Sequence, residues 1–225
     1  MNYQVVIPAR GGSKRFPGKN MAELGGKPLI QHTIEYALNN DFKNRIWVNT
    51  DNDYIAKFSK MEGINVTIRP NELGGDFVPT IDVLKHQLSF FKKQNIACDA
   101  IILLQVTSPL RPSILLRQAI LKFEQNKRSS LATFSSLDKK FGSIKDDCFK
   151  PKNYEPGQRS QDLHKLFFEN GLLYISSAES ILKGKIMSKD VFPLIINGIE
   201  SMVDIDMPDD LILAEFLIKN IKNEN

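Results

Sequence analysis

Residues 100–106 read Ala-Ile-Ile-Leu-Leu-Gln-Val, uncharged and almost wholly apolar, and give onto Thr107-Ser108-Pro109-Leu110-Arg111-Pro112. Such a run is too short to cross a bilayer but has the length of a strand buried on both faces, which is the mark of a parallel sheet with helices on each side. The surrounding sequence alternates accordingly. Residues 3–7, 45–49 and 64–68 read as further strands. Amphipathic helices are expected from Pro28 to about 40, around Ile55, Ala56 and Phe58, over 80–93, and after Pro112 to about 126, with Thr50-Asp51 placed to cap the second of them. A strand begins at 131–135, and then the periodicity fades over 136–165, where charges and turns mark an excursion from the sheet. Regular pattern resumes with a strand over 167–176, a short helix near 179–182, a strand over 202–205, and a last helix from Pro208 to about 221. The expected class is α/β, a three-layer and mostly parallel sheet in a single domain over 1–225.

The first strand leads into Ile7-Pro8-Ala9-Arg10-Gly11-Gly12-Ser13-Lys14-Arg15, continuing through Pro17 to Lys19-Asn20. In α/β proteins the carboxyl edge of the sheet is where ligands bind. Gly11, Gly12 and Ser13 offer backbone N–H groups for an anion nest, and Arg10, Lys14, Arg15 and Lys19 supply charge for several phosphate oxygens. The bland alternative is a basic surface turn with glycines for geometry. The run matches neither the Walker A pattern nor Gly-x-Gly-x-x-Gly.

Asp204 and Asp206 flank Ile205. On a strand, residues two apart share a face, so two carboxylates converge on one hard cation, and magnesium suits a site with few carboxylates because water and phosphate complete its shell. Asp206 before Met207-Pro208 also resembles a helix cap. His32, His86 and His164 show no zinc spacing, and Cys98 and Cys148 no paired framework. Thirty Lys and Arg against 26 Asp and Glu give a net charge of +4, with the cations gathered at one loop, which argues against a nucleic-acid partner. Neither a secretory leader nor a membrane span is legible, and a cytoplasmic protein is expected. A phosphate loop with a magnesium pair suits phosphoryl or nucleotidyl transfer.

Taken together, the loop with Lys19-Asn20, Leu103-Leu-Gln-Val-Thr-Ser-Pro-Leu-Arg111, Glu169-Asn-Gly-Leu-Leu-Tyr-Ile175 and Asp204-Ile-Asp206 with Pro208-x-Asp210-Leu211 resemble the acylneuraminate cytidylyltransferases. Arg69-Pro70 with Thr80-Ile-Asp82 is a weaker match. The resemblance implies a nucleotide-diphospho-sugar transferase fold, Rossmann-like, that joins CTP to a nine-carbon 2-keto acid sugar of sialic, legionaminic or pseudaminic type and releases pyrophosphate. It implies Arg10 and Lys19 on the triphosphate beside the amides of Gly11 to Ser13, Asn20 near the ribose, and Arg69 and Thr80 on the base and ribose side. Gln105, Asn170 and Arg159 fall to the acceptor, Arg159 to its carboxylate, and Asp204 and Asp206 to magnesium, with Asp206 a candidate proton acceptor. The excursion over 136–165 is implied to form a homodimer. The rival readings are a Kdo-type cytidylyltransferase and a non-catalytic nucleotide binder.

Overall fold

The computed structural model describes residues 1–221; the domain expected over 1–225 includes 222–225, which lie outside the described residues. In chain order the elements are β1 (Tyr3–Pro8), β2 (Glu23–Leu24), β3 (Lys27–Pro28), α1 (Leu29–Leu38), β4 (Ile46–Thr50), α2 (Asp53–Met61), β5 (Asn65–Ile68) and α3 (Thr80–Lys93). They continue with β6 (Ala100–Leu103), α4 (Leu115–Asn126), β7 (Ser130–Leu137), β8 (Gly142–Lys145), β9 (Cys148–Pro151), β10 (Leu166–Ser177), α5 (Ala178–Leu182), β11 (Phe192–Ile195) and α6 (Pro208–Ile221).

The central sheet has seven strands in the order β11-β7-β10-β6-β1-β4-β5. β1 lies parallel to β4 and β6, and β4 parallel to β5. β10 runs antiparallel between β6 and β7. Alternation along β1 sends Val5 and Ile7 into one core with α1, α4 and α6, and Val6 into a second with Leu84, Leu88 and Phe91 of α3. Both faces of the sheet are therefore covered, which makes the three expected layers.

The structure corrects the sequence reading at four places. The buried run of 100–106 pairs only as far as Leu103, because its neighbour β10 breaks register between Glu169 and Tyr174. Gly171 makes that break possible: it sits at φ 72°, where a side chain is strained, and a Cβ would press on Gln105 Oε1 at 3.1 Å. The strand expected over 202–205 is instead a 3₁₀ turn (Ile199–Met202) followed by an extended segment, which lies past the end of β6 where no ladder runs and meets the segment after β6 through Ile205 N–H to Thr107 O at 2.8 Å. The seventh strand is β11, whose Pro193 hides it in the sequence and is tolerated at the sheet's edge. Finally, α2 is capped by Asn52, whose Oδ1 accepts the Ile55 N–H at 3.0 Å, rather than by Thr50-Asp51.

The excursion carries the hairpin β8–β9, turned by Asp146 and Asp147 at φ 52° and 57°. Among the described residues no helix is long and apolar enough to cross a membrane.

Asn170 holds the β10 break. Its Nδ2 donates to Ser135 Oγ at 2.9 Å, and its Oδ1 accepts the N–H of fully buried Leu172 at 3.2 Å. Asn170→Ala leaves that N–H without a partner, so urea denaturation is expected to show a loss of about 2 kcal/mol.

Candidate active site

The chain runs from β1 outward through β4 to β5 and then crosses back to place β6 on the other side of β1. This reversal makes a switch point between β1 and β6, and their carboxyl ends diverge into a crevice. A cavity of about 380 Å³ opens there. Its walls bring together Arg10, Lys19 and Asn20 from the loop after β1, and Arg69 after β5. Thr80 at the start of α3, Gln105 and Thr107 after β6, and Asp204 and Asp206 before α6 complete them.

The basic side chains are held by carboxylates. Arg10 Nη1 lies 2.7 Å from Asp76 Oδ1, and Lys14 Nζ reaches the other oxygen of Asp76 at 3.4 Å. Lys19 Nζ lies 2.9 Å from Asp206 Oδ1, and Arg15 Nη2 lies 2.7 Å from Asp206 Oδ2. Asp206 does not cap the last helix. That work falls to Asp210, whose Oδ2 accepts the N–H groups of Asp206 at 2.8 Å and of Met207 at 2.7 Å.

The two carboxylates of the 204–206 segment differ electrostatically. Burial pushes Asp204 above the usual carboxylate range, and the charge of Asp206 adds to it against a hydrogen bond from Thr107. Burial acts in the same upward sense on Asp206, but the hydrogen bonds and charges of Lys19 and Arg15 outweigh it and hold Asp206 below the ordinary value. Burial lowers the pKa of Arg69, and Arg10 adds to the effect, while Asp51 opposes both.

Of the carboxylates on the wall, Asp76 is paired with Arg10 and Lys14, which leaves Asp204 and Asp206 as the pair for a cation; among the described residues no cluster of three or more His, Cys, Asp or Glu is arranged to hold one. A carboxylate pair of which one member is buried and left without a cation of its own fits magnesium, which takes one or two carboxylates and fills its remaining positions with water and phosphate oxygens.

Other expected residues lie outside the wall. The Gly11 N–H is donated to Asp51 Oδ1 at 3.2 Å and so turns away from the cavity, and Ser13 Oγ accepts the N–H of Phe16 at 3.4 Å. Gly12 is beside them, also off the wall. Asn170 is buried in the β7–β10 contact. Arg159 is exposed on the excursion and forms a fork on Asp162, Nε at 2.7 Å and Nη2 at 3.1 Å. Asn20 lines the cavity while its Nδ2 donates to Arg10 O at 2.8 Å.

Asp76, Thr107 and Asp51 carry no site signal of their own in the sequence. Thr107 stands in the Thr-Ser-Pro run that follows the buried strand, and Asp76 is the acid of a glycine-rich loop; only the second half of either signal, a cation or a carboxylate across the crevice, gives it meaning.

Comparison with solved structures gives the fold. A CMP:2-keto-3-deoxy-manno-octonic acid synthetase determined with CTP superposes with a TM-score of 0.70 at 17% identity, covering 98% of this chain and 99% of that one. A 4-diphosphocytidyl-2C-methyl-D-erythritol synthase gives 0.69 at 14% identity, covering 96% and 97%. Among curated relatives, the CMP-N,N'-diacetyllegionaminic acid synthase of Legionella pneumophila is 34% identical over 230 residues, 97% of each chain. The pseudaminic acid cytidylyltransferase of Campylobacter jejuni is 30% identical over 227 residues, again 97% of each. The N-acylneuraminate cytidylyltransferase of Streptococcus agalactiae is 34% identical over 214 residues, 92% of this chain and 51% of that one, so the chain spans about half the length of that relative. The cytidylyltransferase family model matches residues 4–214. By that match and by these relatives, the chain belongs to the cytidylyltransferase family.

Proposed function

We propose that this chain transfers the cytidylyl group of CTP to the anomeric hydroxyl of a nine-carbon 2-keto acid sugar of the sialic, legionaminic or pseudaminic type, releasing pyrophosphate. The observation that carries the reading is the single cavity at the β1–β6 switch point, where the Arg10 and Lys19 cations face the Asp204 and Asp206 carboxylates. Neutral donors and acceptors complete that cavity at Thr80 and Gln105. The relatives named for nine-carbon acids are 30–34% identical along the chain, whereas the Kdo-type neighbour shares the fold at 17%.

In this reading the triphosphate lies along the loop after β1. Arg10 and Lys19 stabilise the charge that develops on the departing pyrophosphate, as oriented cations in a partly dry cleft do well. Arg69 and Thr80 face the base and ribose, and Gln105 the acceptor. Asp204 and Asp206 would hold magnesium, which would neutralise phosphate charge and make the attacking hydroxyl more acidic. Phosphate oxygens would compete with Asp206 for Lys19 and Arg15, which frees that carboxylate to face the attacking hydroxyl, whose proton Asp206 is proposed to accept. The expected compartment is the cytoplasm.

The same proposal includes a homodimer. The excursion and its base expose Phe141, Ile144, Phe149 and Phe167, an apolar group of the kind that associating surfaces carry. A second copy seated there also gives Arg159 a route to a neighbouring site, since on its own chain it lies outside the cavity wall.

Pyrophosphate release from CTP and magnesium is expected with one acid of a panel of N-acetylneuraminic, legionaminic, pseudaminic and Kdo acids, and with neither UTP nor ATP. Lys19→Ala is expected to lower kcat/KM by about a hundredfold or more. Asp206→Asn is expected to abolish turnover with the fold intact by circular dichroism, and near-normal turnover in that variant removes its assigned role. Sedimentation of the wild type is expected to give a dimer and of Ile144→Asp a monomer; an unchanged dimer places the contact elsewhere.

A further inference from the structure

The cavity's nucleotide side is assembled from chain segments far apart in sequence: the loop after β1, Arg69 after β5, and the glycine-containing loop that follows it. One carboxylate just beyond β4 touches all of them. Asp51 Oδ1 accepts the Gly11 N–H at 3.2 Å and also an Arg69 Nη2 hydrogen at 3.1 Å. Its other oxygen lies against Gly74 so closely that a Cβ there would collide with it. Helix capping does not explain this side chain, because Asn52 caps α2.

Two consequences follow from the geometry. The peptide joining Arg10 to Gly11 is fixed at both ends, its carbonyl by Asn20 Nδ2 at 2.8 Å and its N–H by Asp51. The side chain of Arg10 therefore leaves the backbone from a set position. The Arg69 side chain is only 3% exposed, and among the described residues the ion pair with Asp51 is the one it makes. A guanidinium buried to that degree is stable where it is because a carboxylate faces it; without the carboxylate it moves toward water.

We infer that Asp51 is a positioning residue of the nucleotide site. It touches no nucleotide atom; it sets Arg69 and the Arg10–Gly11 peptide at the spacing that the two ends of one bound nucleotide require. The inference rests on the reading of this cavity as a CTP site. Its chemical content is that a negative charge is needed behind the binding surface, so the near-isosteric amide fails to replace it.

Calorimetric titration of CTP into wild type, Asp51→Asn, Arg69→Ala and the double variant tests this, with thermal unfolding as the control for fold. The expected result is a Kd for CTP raised tenfold or more in Asp51→Asn, with the double variant no weaker than Arg69→Ala alone, since both changes remove one arrangement. With the sugar acid as varied substrate, KM in Asp51→Asn is expected to stay within twofold of wild type, which a general loosening of the protein would not leave intact. CTP binding in Asp51→Asn within twofold of wild type overturns the inference and leaves the CTP site standing, as does strict additivity in the double variant. Wild type that binds no CTP overturns the underlying reading and the inference with it. If Asp51→Asn does not fold, Gly74→Ala displaces the carboxylate from a surface loop with its charge kept, and unchanged CTP affinity there overturns the inference equally.

Discussion

The guanidinium of Arg111 is buried at the place where the sheet stops being a sheet. Past Leu103 and before Tyr174, β6 and β10 no longer pair, and two carbonyls that a continued ladder would have used are left inside the protein. Arg111 takes both: Nε donates to Leu172 O at 2.7 Å and Nη2 to Gln105 O at 2.5 Å, while Nη1 donates to Thr33 Oγ1 at 3.2 Å. The Tyr36 ring packs against it at 5.6 Å. Burial lowers its pKa to about 10, which keeps it charged at neutral pH. A buried cation with no carboxylate partner among the described residues is costly in general, but here the alternative is two orphaned carbonyls, and three nitrogens in a fixed fork reach both of them and the Thr33 hydroxyl. With Gly171 and Asn170, this side chain makes the open ladder next to Gln105 tolerable.

Around that opening the charges are balanced inside the protein. Asp76 holds Arg10 and Lys14, and Asp206 holds Lys19 and Arg15. Long basic side chains carry much rotational freedom, and a carboxylate partner narrows it; of the four, Arg10 and Lys19 line the cavity, while Lys14 and Arg15 stay largely exposed. The mixture of signs also shapes what fits. A wall of cations alone suits any polyanion, whereas cations opposed by a carboxylate pair suit a polyanion that carries a divalent cation with it.

Much of this arrangement is legible in the sequence where the cause is local. The helix over Thr80–Lys93 has a 3.6-residue apolar pattern, and the buried run at 100–106 states its own position in the sheet. The loop after β1 advertises its cations beside its glycines. Strand alternation predicts that Asp204 and Asp206 share a face, yet no strand is there; an extended segment bonded at Ile205 to Thr107 brings both to the cavity wall, since any extended backbone alternates its side chains. What the sequence hides is action at a distance. Asp51 looks like a helix cap because it precedes α2, and its true partners, Gly11 and Arg69, stand 40 and 18 residues away. Pro193 conceals β11 for a different reason: the residue that argues against a strand is harmless on an edge.

The two halves of the sheet carry different burdens. β1, β4 and β5 with their helices form a regular parallel unit, and their carboxyl ends deliver Arg10, Asp51 and Arg69 on a rigid frame. On the other side β10 is antiparallel, broken at Gly171, and continuous with the excursion that exposes Arg159. A parallel strand ladder fixes its ends through crossover helices, while a long antiparallel pair with a break tolerates insertions between its strands. The cavity wall carries Arg10 and Arg69 from the parallel half and Gln105 beside the β10 break, so the wall ends where the regular ladder does.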